Sequence, residues 1–565
     1  MSHGNAHGFG RWAKDILIRG ARARLRLDAE RFARALRRPE DVQQRVLRDK
    51  MAQFAVTPFG RRRHYGAIAS YRDFRRLPIS DYEDIRADIE RAMAGDWRSF
   101  LPEKPVMYGV TSGTTGTSKF IPFTRTFVRE YRRGANVWGY HLAHDHPEAL
   151  RNILVICSPA CEGYTEGGFP YGQISGLIAE MQNPLVRTLY ALPNSIFNIS
   201  DCHARCYAIA RCGIEQDVTH LHTANFSTVL RLVKTADEHR EDLIRDIHDG
   251  TLSSRLPIEP AIRAKLSLRP NPSRAHELED MASRAGGSLL PRDYWPNLSV
   301  IGCWCGGTQS FFLNHRAKYF RPETLIRDIG LLSTEARASI PLHDEDDAGV
   351  LEITSHFFEF IPENEIASKQ PTVLTVGDLA AGHRYFMLLT TSSGLVRYNI
   401  NDLVEVVGFV KSTPTIRFLN KGSHISSLVG EKISESQVVS AMHSAANQIG
   451  VPVNCFKMCP VVEEVPYYKL LVELDGHRPL PDSLLETLAK GMDEGLSQLN
   501  SEYARKRVSQ RLAGPCVRRV RNGTFDRERD TIVRSNNGRE FQYKHKYLEN
   551  DPLYHERFQS GGETP

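Results

Sequence analysis

Short apolar runs rich in β-branched residues alternate with helical stretches through the middle of this 565-residue chain. They lie at residues 106–110, 153–157, 298–304, 350–354, 385–391 and 403–410. Strands that alternate with helices over such a distance favour layered α/β packing over an all-β sandwich or a helical bundle. The sequence therefore predicts a large multi-layer α/β domain.

The two ends of the chain have other patterns. Residues 12–92 look helical, with Val42, Val46, Met51 and Phe54 recurring at about one-turn spacing. Beyond residue 420 a smaller α+β pattern follows, with strands at 453–462 and 467–474 and a helix at 482–499. The apolar stripe predicted for this helix consists of Leu484, Leu488, Met492, Leu496 and Leu499. We therefore predict a large domain at 1–419, with a mainly helical entry segment at 1–92, and a small domain at 420–565.

Composition excludes several classes of protein. The 73 Lys and Arg residues exceed the 67 Asp and Glu residues by only six, which gives no argument for a nucleic-acid partner. No apolar run reaches the length of about 18 residues that a membrane helix needs, and the start of the chain does not resemble a secretory signal. The ten cysteines lack the spacing of a zinc site. We expect a cytoplasmic protein without a membrane or nucleic-acid partner.

The strongest local signal is the segment 111–119, which reads Thr-Ser-Gly-Thr-Thr-Gly-Thr-Ser-Lys. Glycines allow the backbone to approach phosphate oxygens, hydroxyl groups donate hydrogen bonds to them, and a lysine adds positive charge. The spacing differs from that of the mononucleotide P-loop, and a flexible linker is the alternative. The phosphate-binding candidates are Thr111, Ser112, Gly113, Thr114, Thr115 and Lys119.

Four further segments agree in order with one known family. They are residues 77–79 with Tyr82, residues 304–307, residues 358–362, and residues 394–398 followed by Asp402. Together with segment 111–119 they resemble the Gretchen Hagen family, the auxin-responsive acyl acid amido synthetases, within the adenylate-forming enzymes. The resemblance runs from about residue 70 to the end of the chain.

The resemblance implies an ATP site with Mg²⁺. In the segment Leu332-Ser333-Thr334-Glu335, it places Thr334 and Glu335 beside the nucleotide, with Glu335 as the magnesium ligand. A carboxylate suits this hard cation, although such a triplet also begins helices as an N-cap. The next motif implies that Asp402 binds the ribose; Asn399 stands where the family has arginine, and Asn401 suits a left-handed backbone.

Downstream, residues 417–422 resemble the hinge between the two domains, and Phe418 within them is a nucleotide-binding candidate. The resemblance implies catalytic lysines at Lys432, in segment 430–435, and at Lys544, in the sequence Gln542-Tyr543-Lys544. For segment 431–435 the alternative is the start of a surface helix. For Lys544 there are two alternatives: the lysine belongs to a basic patch in the tail, or Lys546 is the true counterpart.

The implied function is adenylation of a carboxylic acid by ATP, then transfer of the acyl group to an amine, with release of pyrophosphate and AMP. The resemblance points to an amino acid as the amine. A thiol acceptor, as in acyl-CoA ligases, and a homologue that binds without turnover are alternatives. Either His220 or His222 is a candidate base, with a structural role as the alternative. The sequence leaves the acid, the general base and the oligomeric state open.

Overall fold

The computed structural model describes residues 4–111, 119–182, 184–306, 313, 316–366, 368–422, 425–450, 453–474, 481–535 and 543–558. The chain divides into two compact units, Met1–Phe418 and Leu419–Pro565. Both combine helices with sheets, which confirms the α/β class. Within the described residues, no helix is long and apolar enough to cross a membrane.

Helices fill the start of the first unit, as the sequence predicts. Their bounds are Gly4–Ala35, Pro39–Ala55, Pro58–Arg62, Tyr71–Phe74 and Glu83–Met93. The second begins with proline at its first position and acidic residues in its first turn, which favour a helix start. Its buried Gln43 donates to the carbonyl groups of Ile353 and His356, each at 2.7 Å, and accepts from the backbone N–H of Phe358 at 2.8 Å. The entry helices are therefore bonded directly to a sheet strand.

Three sheets follow in the first unit. A parallel four-stranded sheet has the order Ile153–Ile156, His220–Asn225, Val300–Trp304 and Leu325–Asp328. A second four-stranded sheet has the order Lys119–Phe123, Met107–Thr111, Pro170–Gly172 and Gly163–Tyr164. A six-stranded sheet has the order Phe357–Pro362, Arg384–Thr390, Tyr398–Val410, Thr413–Lys421, Ala348–Leu351 and Ser339–Ile340.

Helices separate these strands along the chain. Their bounds are Arg125–Asp145, Ile174–Glu180, Pro184–Arg187, Cys202–Ile214, Phe226–Glu238, Arg240–Asp249, Pro260–Leu266, Pro272–Arg284, Pro291–Tyr294 and Arg316–Tyr319. One apolar core, with Phe54, Phe127, Leu351 and Leu389 among its members, joins the entry helices to the sheets. Burial of this surface is the main favourable term in folding.

The second unit contains a three-stranded sheet in the order Val453–Val461, Tyr467–Leu474 and Cys516–Arg519, and a small ladder of Ile425–Ser426 with Ile433–Ser434. Its helices are Glu435–Ile449, Asp482–Leu499, Ser501–Val508 and Thr524–Ser535. Leu488, Met492 and Leu496 are fully buried, as predicted. Leu499, predicted in the same stripe, is 47% exposed because the helix ends there, so that assignment was wrong.

Candidate functional site

The ends of the hydroxyl and glycine segment are fixed by strand pairing. Thr111 ends one strand and Lys119 begins the next, and the two residues lie directly opposite each other in the antiparallel ladder. The Tyr82 hydroxyl accepts a hydrogen bond of 2.8 Å from the backbone N–H of Phe120, and the Lys119 ammonium lies 5.5 Å from the centre of the Tyr82 ring. The remaining phosphate-binding candidates lie outside the described residues: Ser112, Gly113, Thr114 and Thr115.

Thr334 lies in a tight turn and not in a helix. The backbone N–H of Ser333 donates to the carbonyl of Ala336 at 2.9 Å, and the Ser333 hydroxyl accepts from the N–H of Ala336 at 3.1 Å. The alternative of a helix N-cap is therefore wrong. The Thr334 methyl group lies 2.5 Å from the point where a Cβ of Gly109 would stand. A glycine at 109 thus allows this turn to pack on the strand that leads into the phosphate segment.

Glu335 and Asp402 both act electrostatically on one buried tyrosine, Tyr398. Both carboxylates are buried. Burial is the main cause that raises the pKa of Tyr398, and the charges of Glu335 and Asp402 raise it further. Glu335 likewise adds to the effect of burial in raising the pKa of Tyr131. The charges of the two acidic residues predicted for magnesium and ribose thus both reach the hydroxyl group of this tyrosine.

A bulge in the strand Tyr398–Val410 presents Asp402. Residues 400–402 lie opposite the single residue Met387 of the neighbouring strand. Asn401 has a φ of 62°, the left-handed conformation that asparagine was predicted to supply, and its N–H donates to the side-chain oxygen of Asn399 at 2.8 Å. Asn399 therefore stabilises the bulge that carries Asp402. Bulges commonly redirect side chains next to binding sites.

Arg397, just before this strand, is a residue whose role the sequence did not reveal. Its guanidinium donates to both oxygens of Glu359, at 3.0 and 3.1 Å, and to the carbonyl groups of Arg75 and Leu77. Tyr71 donates to the same carboxylate at 3.0 Å. This buried pair joins three segments on which the family resemblance rests. The only sequence signal for it was that an arginine and a glutamate both occur within those segments.

The ends of two parallel strands are held together by Asp328. Its carboxylate accepts from the backbone N–H of Cys305 at 2.6 Å and from that of Gly330. Burial raises the pKa of this carboxyl to about 7. Trp304 lies beside this junction and packs edge-on against Phe418, with ring centres 5.4 Å apart. Ligands of parallel sheets commonly bind at such carboxyl ends.

Lys432 belongs to the second unit, where its backbone is firmly positioned. It is exposed with a φ of 48°, between the buried residues Glu431 and Ile433. The Glu431 carboxylate accepts from the Tyr468 hydroxyl and from two backbone N–H groups. A helix begins at Glu435 with Ser434 as its N-cap, so the helix start considered for 431–435 is present at the end of that range, and Lys432 precedes it.

The two candidate lysines near the end of the chain differ in their surroundings. Lys546 forms an ion pair of 2.8 Å with Glu549 and is half-buried. Lys544 is exposed, and His545 between the two lysines is buried. The assignment of Lys544 as the catalytic lysine stays a prediction. Gln542 lies outside the described residues.

Among the described residues, no group of three or more His, Cys, Asp or Glu side chains could hold a metal. Mg²⁺ is usually held by one or two carboxylates together with phosphate and water oxygens, and Glu335 stays the predicted carboxylate. The candidate bases His220 and His222 face the same side of their strand and both pack against Trp138, with ring centres at 6.1 and 5.3 Å. Burial lowers the pKa of both.

Comparisons with known proteins agree with this arrangement. Models of the GH3 family match the chain in three parts: the N-terminal domain at 28–325, the central domain at 349–421 and the C-terminal domain at 436–552. The chain is 26% identical to indole-3-acetic acid-amido synthetase GH3.5 of Arabidopsis thaliana, over 87% of this chain and 86% of the relative. It is 27% identical to a probable indole-3-acetic acid-amido synthetase GH3.4 of Oryza sativa subsp. japonica, over 89% and 85%.

The fold has a close counterpart among solved structures. The AtGH3.15 acyl acid amido synthetase, in complex with 2,4-DB, superposes with a TM-score of 0.81 at 20% identity, over 93% of this chain and 94% of that one. The N-terminal family model alone spans more than half of the 565 residues. The segments quoted from the sequence, the arrangement of their residues and these matches lead to one conclusion: the chain belongs to the GH3 family.

Proposed function

We propose that this protein is an ATP-dependent acyl acid amido synthetase, which adenylates a carboxylic acid and transfers the acyl group to an amino acid. The observation that carries the proposal is that the chain belongs to this family and has Glu335 and Asp402, whose charges both reach the buried Tyr398. Separate motifs predict magnesium binding for Glu335 and ribose binding for Asp402. Relatives named as amido synthetases, and one of them in complex with 2,4-DB, support the class of reaction.

In the proposed first step, the hydroxyl groups and Lys119 of segment 111–119 hold the phosphates of ATP, and Asp402 accepts hydrogen bonds from the ribose. Thr334 and Phe418 contact the nucleotide. Mg²⁺ held by Glu335 would neutralise phosphate charge. The substrate carboxylate then attacks the α-phosphorus and pyrophosphate leaves. Positioning and charge neutralisation supply most of the catalysis, because both reactants are anions.

In the proposed second step, the amine attacks the acyl-adenylate and AMP is released. We assign Lys544 to the adenylation step and Lys432 to the second state of the site, with residues 417–422 as the hinge between domains at 1–419 and 420–565. Large backbone changes at a few residues are typical of such hinges. A cytoplasmic location stays a prediction.

The test measures pyrophosphate release from ATP and Mg²⁺ with a panel of aryl, indolyl and aliphatic acids, with and without pooled amino acids. Asp402→Ala and Lys119→Ala should each lower acid-dependent release by on the order of 100-fold, because each removes a group that positions the nucleotide. The control is Lys234→Ala, which removes an exposed lysine from the helix Phe226–Glu238 and should leave the rate unchanged.

Two outcomes would contradict the proposal. Stimulation of AMP release by coenzyme A and not by any amino acid would indicate a thiol acceptor. A shift in melting temperature with ATP, without pyrophosphate release for any acid, would indicate a protein that binds without turnover.

A further inference from the structure

Gly134 lies in the middle of the helix Arg125–Asp145. The buried side chains of Arg337 and Glu352 pack against the helix backbone at this position. A Cβ at this position would stand 2.4 Å from Cδ of Arg337 and 3.4 Å from Cγ of Glu352. The first distance is far shorter than any carbon contact allows. The arginine and the glutamate are therefore neighbours on the helix surface, and they occupy space that exists because residue 134 has no side chain.

Both side chains keep a polar atom without a partner among the described residues. Arg337 donates from one terminal nitrogen to the carbonyl of Ile329 at 3.0 Å, whereas its Nε has no acceptor. Glu352 accepts through Oε1 from Thr354, whereas its Oε2 has no donor. Buried polar groups are normally bonded. One donor and one acceptor, on two side chains that pack against the same glycine, thus have no hydrogen bond to a described residue.

These atoms lie next to the proposed site. Arg337 follows Glu335 by two residues, its guanidinium lies 5.6 Å from the ring centre of Tyr131, and the charge of Glu335 acts on that same tyrosine. His222 is near as well: burial and the charge of Arg337 lower its pKa to about 4, and its Nδ1 has no partner among the described residues. The arginine keeps 7% of its surface exposed.

We propose that Arg337 and Glu352 recognise a hydroxyl group on the acid substrate, so that the preferred substrates are hydroxylated carboxylic acids. The inference rests on the proposed adenylation function. A hydroxyl oxygen accepts the hydrogen bond from Nε of Arg337, and its proton is donated to Oε2 of Glu352. A carboxylate on this part of the substrate would be repelled by the carboxylate of Glu352. A hydrocarbon group would leave both polar atoms without a hydrogen bond. A hydroxyl group satisfies both atoms at once, because it accepts one hydrogen bond and donates another.

The experiment compares matched acids in the pyrophosphate assay: benzoate with 2-, 3- and 4-hydroxybenzoate, 3-phenylpropanoate with its 4-hydroxyphenyl analogue, and hexanoate with 6-hydroxyhexanoate. In the native protein, at least one hydroxylated acid should exceed its parent in kcat/KM by about 100-fold, since a site built for a hydroxyl rejects the analogue that lacks it. Gly134→Ala, which displaces Arg337, should reduce this ratio to a few-fold while the KM for ATP stays within about threefold of the native value.

The matched control is Gly139→Ala in the same helix, where the new Cβ would meet only Cδ1 of Leu25 at an ordinary 3.7 Å. This variant should keep the preference. Arg337→Met is the second test variant and should lose it. Equal kcat/KM values for every pair of acids, or a preference that survives in both test variants, would overturn the proposal.

A direct binding measurement tests the hydroxyl site independently of the proposed adenylation function. Calorimetric titration of the same acids, in the presence of ATP and Mg²⁺, needs no turnover. Tighter binding of a hydroxylated acid that Gly134→Ala abolishes and Gly139→Ala retains would support the hydroxyl site even if no pyrophosphate were released. Equal affinity within every pair would overturn it even if adenylation were established.

Discussion

Two buried arginines of the first unit are held in opposite ways. Arg397 forms two hydrogen bonds to Glu359 and two to backbone carbonyl groups. Arg337 has one carbonyl acceptor and an Nε without a partner among the described residues. A buried charge is costly unless it is paired and bonded. The difference indicates that Arg397 stabilises the protein itself, whereas Arg337 completes its bonds with a ligand.

The largest expected effect concerns Arg397. Arg397→Met should lower the free energy of unfolding by about 3–5 kcal/mol, because it leaves the carboxylate of Glu359 buried without its cation. Urea denaturation followed by circular dichroism measures this value. The double variant Arg397→Met with Glu359→Leu is the control and should recover much of the loss, since neither charge then remains. A loss below about 1 kcal/mol in the single variant would remove the contrast between the two arginines.

A smaller effect should appear in the pH dependence of stability. Burial raises the pKa of Glu352 from 4.5 to about 7 in the folded protein. The folded state therefore binds the proton more tightly than the unfolded state, so stability is fully present below about pH 4.5 and declines as the pH rises to 7, by about 1.4 kcal/mol per pH unit across that interval. Glu352→Gln should remove this decline when urea denaturation is compared at pH 5 and 8. If the free energy of unfolding changed equally between pH 5 and 8 in the two proteins, Arg337 would already pair with this carboxylate.

The smallest effect is expected for the stability of Arg337→Met. The change should alter the free energy of unfolding by less than about 1 kcal/mol, because no carboxylate loses an ion-pair partner within the described residues and methionine fills similar space. The measurement is the same urea titration. A loss as large as that expected for Arg397→Met would mean that both arginines are structural, and the hydroxyl site would need another donor.

The bounds of helices and strands were predicted best where they depend on residues that are close together in the sequence. The strand Tyr467–Leu474 and the helix Asp482–Leu499 have the predicted bounds, because alternation and a helical stripe depend on neighbouring residues. The helix Arg240–Asp249 is another local case, since it ends just before Gly250, whose φ of 68° suits glycine. In the site, the left-handed Asn401 was predicted from its residue type.

The two arginines show what the sequence could not reveal. Arg397 bonds to Glu359, 38 positions away, and Arg337 packs on Gly134, which is more than 200 positions away. Periodicity carries no information about such contacts, which depend on how the sheets and helices pack. The motifs predicted a nucleotide site because their residues are adjacent in sequence. The surroundings that distinguish one acid from another come from distant segments, so the acid stayed open.

The bulge that carries Asp402 also has a genetic consequence. Four positions separate Asn399 from Leu403, whereas two separate their partners Leu388 and Phe386, so the strand holds two extra residues. Because strand side chains alternate with a period of two, this even excess leaves the later residues facing the side they would face without it. We expect that loss of six coding nucleotides here would remove the bulge, while every later side chain of the strand would stay on its present face of the sheet. Loss of three would turn every later side chain of the strand over. A descendant of this gene could thus lose the proposed ribose-binding position of Asp402 in one event and still fold.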